Sequence, residues 1–323
     1  MSTTAESQPA PVRAADYLKP DEIRAFSRRS DFAGAALLAL NWLSIAAIFT
    51  LVALWTNPLT VLLAVLLLGA RQLGLAVLMH EAGHRTLFAN GALNDALGQW
   101  LAAYPVLGDC LAYGASHREH HRLAGTDRDP DLPNYRAYPI KGSSFRRKIL
   151  RDVTGRTGMR LLLGQFTGAG NRIMMRDGEA NPSLHRGLAV NAMLFGLLWV
   201  SGNPALYLLW VAAYVTSYPL VARIRQVAEH GAVPGLYAQD PRGNTRTTRA
   251  GVLERLLLCP NNVNFHIEHH LMPSVPCWRL PRLHRLLTER GFFRDHPEAI
   301  ASSYLDVIRR AVPEFGSGSA TPA

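Results

Sequence analysis

Hydrophobic and polar positions along this chain separate into long blocks instead of alternating at helical or strand period. From 32 to 55 only Asn41, Ser44 and Thr50 interrupt an apolar run, and after Thr56-Asn57-Pro58 a second run covers 59–79 and leads into His80. Each is long enough to cross a bilayer as a helix. A second pair, 187–200 and 205–222, is turned by Ser201-Gly202-Asn203-Pro204. Its first member spans roughly 21 Å at about 1.5 Å per residue, which puts its end in the membrane interface. The stretch 97–113 is apolar but broken by Gln99, Pro105 and Asp109, and it is expected to be half-inserted or interfacial. A full crossing there would put residues on its two sides on opposite faces of the membrane. The pattern predicts an all-α integral membrane protein, with four transmembrane helices in two hairpins and a cytoplasmic helical cap.

Between the hairpins, 137–186 carries ten Lys or Arg against three acids, interleaved with Leu161, Leu162, Leu163, Phe166, Ile173 and Met174. Basic amphipathic segments of this kind lie among headgroups. Residues 1–20 read as a disordered tail, and Asp21 as the N-cap of a short basic interfacial helix bearing Arg24, Arg28 and Arg29. Residues 244–249 read as a polar, basic loop, 283–290 and 297–312 as amphipathic helices, and 316–323 as a flexible tail. The domain division expected is 1–30 for tail and interfacial helix, 31–284 for the membrane domain and 285–323 for the C-terminal helices and tail.

Composition agrees with the pattern: 48% hydrophobic and only 18% charged residues among 323, with a formal charge of +10. In such a chain the excess charge faces anionic lipid or an acidic protein; no nucleic acid is expected. Cys110, Cys259 and Cys277 are scattered and form neither a disulfide framework nor a thiolate metal site. Every Lys and Arg except Arg71 falls outside the runs and away from their uncharged turns. The positive-inside rule then places both termini on the cytoplasmic side, in a bacterial cytoplasmic membrane. Arg71 and Gln72 sit inside a run, where they contact either the substrate or a neighbouring helix.

The chemistry lies in the histidines. His266, His269 and His270 are spaced i, i+3, i+4 and share one side of a helix. His117, His120 and His121 repeat that spacing, His80 and His84 form a pair, and His230 ends the last apolar run. Nine imidazoles exceed the coordination of one ion, so two metals sharing four or five rings each are expected. Gln226, one turn before His230, is a candidate ligand, directly or through water. Glu81, Glu119, Glu229 and Glu268 each adjoin a histidine. Adjacent side chains diverge on a helix, so these carboxylates are expected to orient rings of other clusters. His185, His284 and His296 are assigned no metal.

These boxes, His80-Glu81-Ala82-Gly83-His84, His117-Arg118-Glu119-His120-His121, His230 and His266-Ile267-Glu268-His269-His270, resemble the membrane fatty acid desaturase and hydroxylase superfamily. The likeness extends over roughly 70–284, through the run 122–131 and Pro273-Ser274-Val275-Pro276. It implies a non-haem diiron centre held by the nine histidines, with O2 as co-substrate. The implied substrate is a lipid or acyl chain from the membrane, and the electrons come from a separate ferredoxin, rubredoxin or cytochrome. Desaturation of a fatty acyl or similar aliphatic chain is the activity expected, and hydroxylation or ketolation the nearest alternative. A remote alternative is an intramembrane zinc metalloprotease, because residues 80–84 also match H-E-x-x-H with Glu81 as general base. The Leu-Asp-Gly context that would supply a third ligand is missing, and seven histidines would stand unexplained. A metal transporter would need polar ligands inside the spans, and 187–222 hold almost none.

Overall fold

The computed structural model describes residues 12–167 and 181–316. The expected amphipathic positions Ile173 and Met174, and the ends of both tails, lie outside the described residues. Helix α1 (Pro20–Phe26) begins at Lys19, whose N–H is accepted by Glu22. Asp21, the expected cap, sits inside the first turn instead. The tail expected to run to 20 is ordered from its apolar residues onward. Leu18 is buried, and the Tyr17 ring meets Phe292 edge-on at 5.0 Å.

Helix α2 (Asp31–Leu54) is capped by Ser30, whose hydroxyl accepts the Ala33 N–H. It buries Gly34, Leu38, Asn41, Ile45, Phe49 and Val52, a stripe at helical period. Asn57 caps α3 (Pro58–Gly83), with Pro58 preset for the first turn. Both helices are long and apolar enough to cross a membrane, with hydropathy 2.2 in each. They leave Phe32, Leu40, Leu43, Leu59 and Leu62 exposed, which a water-facing surface does not tolerate in such number. From Leu68 to Ala82 α3 is nearly all buried and forms the central post of the fold. Arg71 donates to the Leu256 carbonyl at 2.7 Å and Gln72 to the Trp210 carbonyl at 2.9 Å. Both are structural contacts to neighbouring elements.

After α4 (Gly91–Leu97) the chain forms a wide π-type turn over Gly98–Ala103 and a 3-10 turn over Tyr104–Val106. No spanning helix forms there. Gln99 and Asp109, which break the apolar run, end it structurally: Gln99 bridges Asp109 and the Cys110 N–H, and Asp109 caps α5 (Cys110–Leu123). Helix α5 crosses α3 where Gly83 meets Gly114. A Cβ on Gly114 would lie 3.0 Å from the Gly83 Cα, tighter than almost all real Cβ contacts, so glycine eases this close approach of the two backbones.

The one-turn α6 (Leu132–Tyr135) precedes α7 (Gly142–Val153) and α8 (Arg156–Thr167), the basic amphipathic pair. Buried Asp152 ties α7 to Arg223 at 2.5 Å. Helix α9 (Leu184–Val200) has 17 residues. The expected fourth span is split into α10 (Leu206–Val215) and α11 (Ser217–His230) by a break at Thr216 (φ −116°, ψ −77°). Pro219 explains it: proline has no N–H to bond back to Val215. Among the described residues, two helices therefore meet the length and hydropathy of a span, not four. Asn191 clamps α9 to its neighbours, donating to the Pro105 carbonyl at 3.2 Å and accepting from Trp210 at 3.1 Å.

The remaining elements are α12 (Pro241–Asn244), β1 (Thr247–Thr248), α13 (Val252–Leu257), α14 (His266–Leu271), α15 (Leu280–Glu289), β2 (Ile300–Ala301) and α16 (Tyr304–Ala311). The polar loop expected at 244–249 is instead mostly buried. β1 pairs in parallel with β2. The Arg246 guanidinium, 1% exposed, donates to the carbonyls of Gly231 at 2.9 Å and Ala232 at 2.6 Å. Those carbonyls follow the end of α11, so the basic residue caps a helix terminus instead of meeting solvent.

Candidate metal centre and adjoining cavity

Four segments deliver the imidazoles. His80 and His84 end α3, His117, His120 and His121 line one side of α5, His230 ends α11, and α14 carries the last three. The sharp entry into α14 depends on Asn261 and Asn262, both in the left-handed region (φ 57° and 60°), which asparagine tolerates best after glycine. Asn261 donates to the Gly74 carbonyl at 3.1 Å and Asn262 to that of Cys277 at 3.3 Å, fixing the turn against α3.

All nine predicted histidines come together, in two groups. His80, His84, His117, His121 and His269 converge with one ring nitrogen each, and His120, His230, His266 and His270 do the same, every set lying within 4.8 Å. In the first group the His269 Nε2 is 3.0 Å from the Nε2 of both His80 and His121, which is itself 3.0 Å from that of His117. In the second, His266 Nε2 lies 2.9 Å from His230 and 3.1 Å from His270. The groups abut, with the His121 and His270 rings 4.3 Å apart. Gln226 is on the wall of an adjoining cavity, beside Glu229 and His230.

The partners behind the rings fix which nitrogen carries hydrogen. His230 Nδ1 meets the Asn244 carbonyl at 3.1 Å and His120 Nδ1 meets Asp129 at 2.8 Å. A carbonyl and a carboxylate only accept, so both Nδ1 atoms are protonated, and it is the neutral form of each ring that turns an Nε2 lone pair inward. Asp129 is itself held by the Tyr135 hydroxyl. Burial, reinforced by neighbouring rings, holds His117, His121, His266, His269 and His270 well below the usual imidazole range. They are neutral at pH 7. His120 is the exception: burial opposes its charge, but Asp129 and Asp131 outweigh that and raise it.

The glutamates divide. Glu229 Oε1 is 3.6 Å from His266 Nδ1, a ring of another segment, as expected. Glu268 accepts from Thr247 at 2.6 Å and from His284 Nδ1 at 2.5 Å, so His284 supports the α14 cluster from outside it. Glu81 departs from expectation by approaching its own neighbour, His80 Nδ1, at 3.4 Å. Thr86 and the Cys277 N–H, both at 2.9 Å, fold its carboxylate back. Glu119 is at the surface, 3.8 Å from Arg122.

His117, His120, His230 and His266 open onto a cavity of about 90 Å³, walled further by Leu73, Ala76 and Met79 of α3 and by Tyr113, Asp131, Arg225 and Glu229. Sequence reasoning gave no role to Asp129, Asp131, Tyr135, Arg225 or His284. The run at 122–131 held the first three's neighbourhood in view, but nothing in its spacing said which carboxylate would turn inward.

The fold is almost wholly helical and gathers its imidazoles into two groups that could each hold a metal ion, and the comparisons show which family builds such a site. The fatty acid desaturase family model matches residues 56–303. The chain is 32% identical over 292 residues to the dihydrorhizobitoxine desaturase of Bradyrhizobium elkanii, covering 83% of this chain and 76% of that protein. It is 29% identical over 265 residues to a beta-carotene ketolase of Paracoccus sp. (strain PC1), covering 76% and 89%. A sphingolipid delta(4)-desaturase/C4-monooxygenase of Bos taurus is 25% identical over 234 residues, covering 69% of this chain and 63% of that protein. The chain belongs to the fatty acid desaturase family and is an oxidoreductase.

Proposed function

We propose that the chain is an O2-dependent diiron desaturase, with one iron in the group of five histidines and one in the group of four. The convergence of inward lone pairs carries this reading. The Nε2 contacts within both groups fall at 2.9–3.1 Å, so each group gathers ring nitrogens that would hold one ion between them. His84 Nε2 is buried with no hydrogen-bond partner among the described residues, which suits a metal ligand.

Bound there, the irons with O2 supply the oxidising power that an unactivated methylene demands, since it has no acidic proton for a base to remove. The protein does the rest. Neutral rings hold the metals without adding negative charge, and Asp129 and the Asn244 carbonyl keep two of them from rotating. The α3 wall presents apolar surface against which an aliphatic chain can lie. Family membership suggests a lipid or acyl substrate. Four spans, formed by α2, α3, α9 and α10 with the start of α11, would embed the site at the cytoplasmic face of a bacterial membrane, with electrons delivered by a separate ferredoxin, rubredoxin or cytochrome. The ketolase relatives favour a second reading, in which the same site adds oxygen.

The test is metal and product analysis together. Purified protein is expected to hold about two irons per chain. Turnover should yield a product lighter by two hydrogens; a product heavier by one oxygen selects the second reading. Stoichiometric zinc without iron would overturn both.

A further inference from the structure

Among the described residues, the cavity beside the four-histidine group carries two charged groups outside the two histidine sets, Arg225 and Asp131, of which Asp131 lies within 4.8 Å of ring nitrogens of His117 and His120. Arg225 donates through Nε to Glu229 at 2.6 Å, and its two terminal nitrogens make no hydrogen bond to any described residue. A guanidinium has five N–H donors in a planar fork, so one edge is spent on Glu229 and the other is open to the cavity. Asp131 faces the same space. Its carboxylate accepts no hydrogen bond from any described residue, and its nearest ring nitrogen, His120 Nδ1, is 3.8 Å away and committed to Asp129.

We infer that this cavity binds a compact zwitterion, with a carboxylate on the open edge of Arg225, a cationic group facing Asp131 and a short aliphatic portion against Leu73, Ala76 and Met79. The inference rests on the diiron reading and narrows its substrate class. Three observations converge on it. The volume of about 90 Å³ is well below the roughly 300 Å³ at which pockets begin to enclose larger ligands, so a long acyl chain does not fit within it. The lining is divided, polar toward Arg225 and Asp131 and apolar along α3. A fork-shaped donor set matches a carboxylate in plane, which a lipid tail would leave unpaired at a cost. Bound irons, ligated by neutral rings, add positive charge that further favours an anion close by.

Calorimetric titration of the purified, iron-loaded protein with 2-aminopentanoate, pentanoate and pentylamine tests this. Saturable binding is expected for 2-aminopentanoate, weaker binding for pentanoate and none for pentylamine. Arg225→Gln should weaken the first two at least tenfold, and Asp131→Asn should weaken 2-aminopentanoate alone. Arg225→Lys keeps a charge on Glu229 but not the fork, and should lose affinity for both by several-fold with its iron retained. Wild-type protein that ignores 2-aminopentanoate, or an iron-replete Arg225→Lys that binds it as tightly as wild type, would overturn the assignment. Because heat is read and not turnover, wild-type protein lacking iron would sink the diiron reading while the cavity is still tested.

Discussion

The two histidine groups are built from the same side chain but held in different ways. In the four-ring group two rings are held from behind, His120 by Asp129 and His230 by the Asn244 carbonyl, while His266 Nδ1, 3.6 Å from Glu229, makes no hydrogen bond. In the five-ring group the rings mostly face one another. The Nδ1 atoms of His80 and His121 have no hydrogen bond, nor does the buried Nε2 of His84. Unpaired buried polar atoms cost about 1–3 kcal/mol each, and the five-ring group has three of them against one in the four-ring group, so its geometry depends more on its ion. Two of the four rings in the other group are oriented without one.

The most severe way to probe that difference is His269→Ala. Its Nε2 is in contact with two other ring nitrogens at 3.0 Å, at the centre of the weaker group. Iron content should fall from about two per chain to about one, and activity by on the order of 100-fold or more, beyond what loss of an outer support costs. If both irons leave together, the groups are not independent sites and the comparison fails.

Asp129→Asn acts on the other side of it. The amide keeps the size of the carboxylate but not its charge, and both His120 and Tyr135 lose their acceptor of choice. Supports of this kind are worth about 10- to 100-fold in metal affinity. The loss should appear as easier chelation of one iron, with the helical circular dichroism unchanged. Chelation curves that overlay those of the wild type would show that the support from behind does not hold the ion.

These carboxylates also mark where the sequence stops being readable. The nine ligand candidates were legible because i, i+3, i+4 spacing forces rings onto one side of a helix whatever the surroundings. The two long apolar helices were legible for a similar reason, since each is its own signal. How the nine rings would divide was not, because His120 and His121 are neighbours in sequence and enter different groups. That split is set by the crossing of α3 and α5 at Gly83 and Gly114, a tertiary fact. The break at Thr216 could have been anticipated from Pro219, which the hydropathy of the run concealed. Residues 244–249 misled most. Their composition is that of a solvent loop, yet Arg246 is buried because the end of α11 offers carbonyls that need a donor. His284 belongs to the same class, since its role exists only through Glu268, 16 positions away.

The mildest perturbation tests how far support extends from the rings. Thr247 donates to Glu268 at 2.6 Å and its hydroxyl accepts the Ile267 N–H at 3.2 Å, tying β1 to the start of α14. Thr247→Val keeps shape and β-branching, so β1 should survive while both bonds are lost. A hydrogen bond to a charged group contributes about 1.5–3 kcal/mol, and His284 still holds the other oxygen of Glu268. The expected outcome is a thermal midpoint lowered by a few degrees, on the order of 2–4 °C per kcal/mol for a chain of this size, with both irons retained and activity down by less than about tenfold. Loss of iron equal to that in Asp129→Asn would mean that α14, which supplies rings to both groups, depends on this tie as much as His120 depends on Asp129, and the contrast between the two groups would vanish.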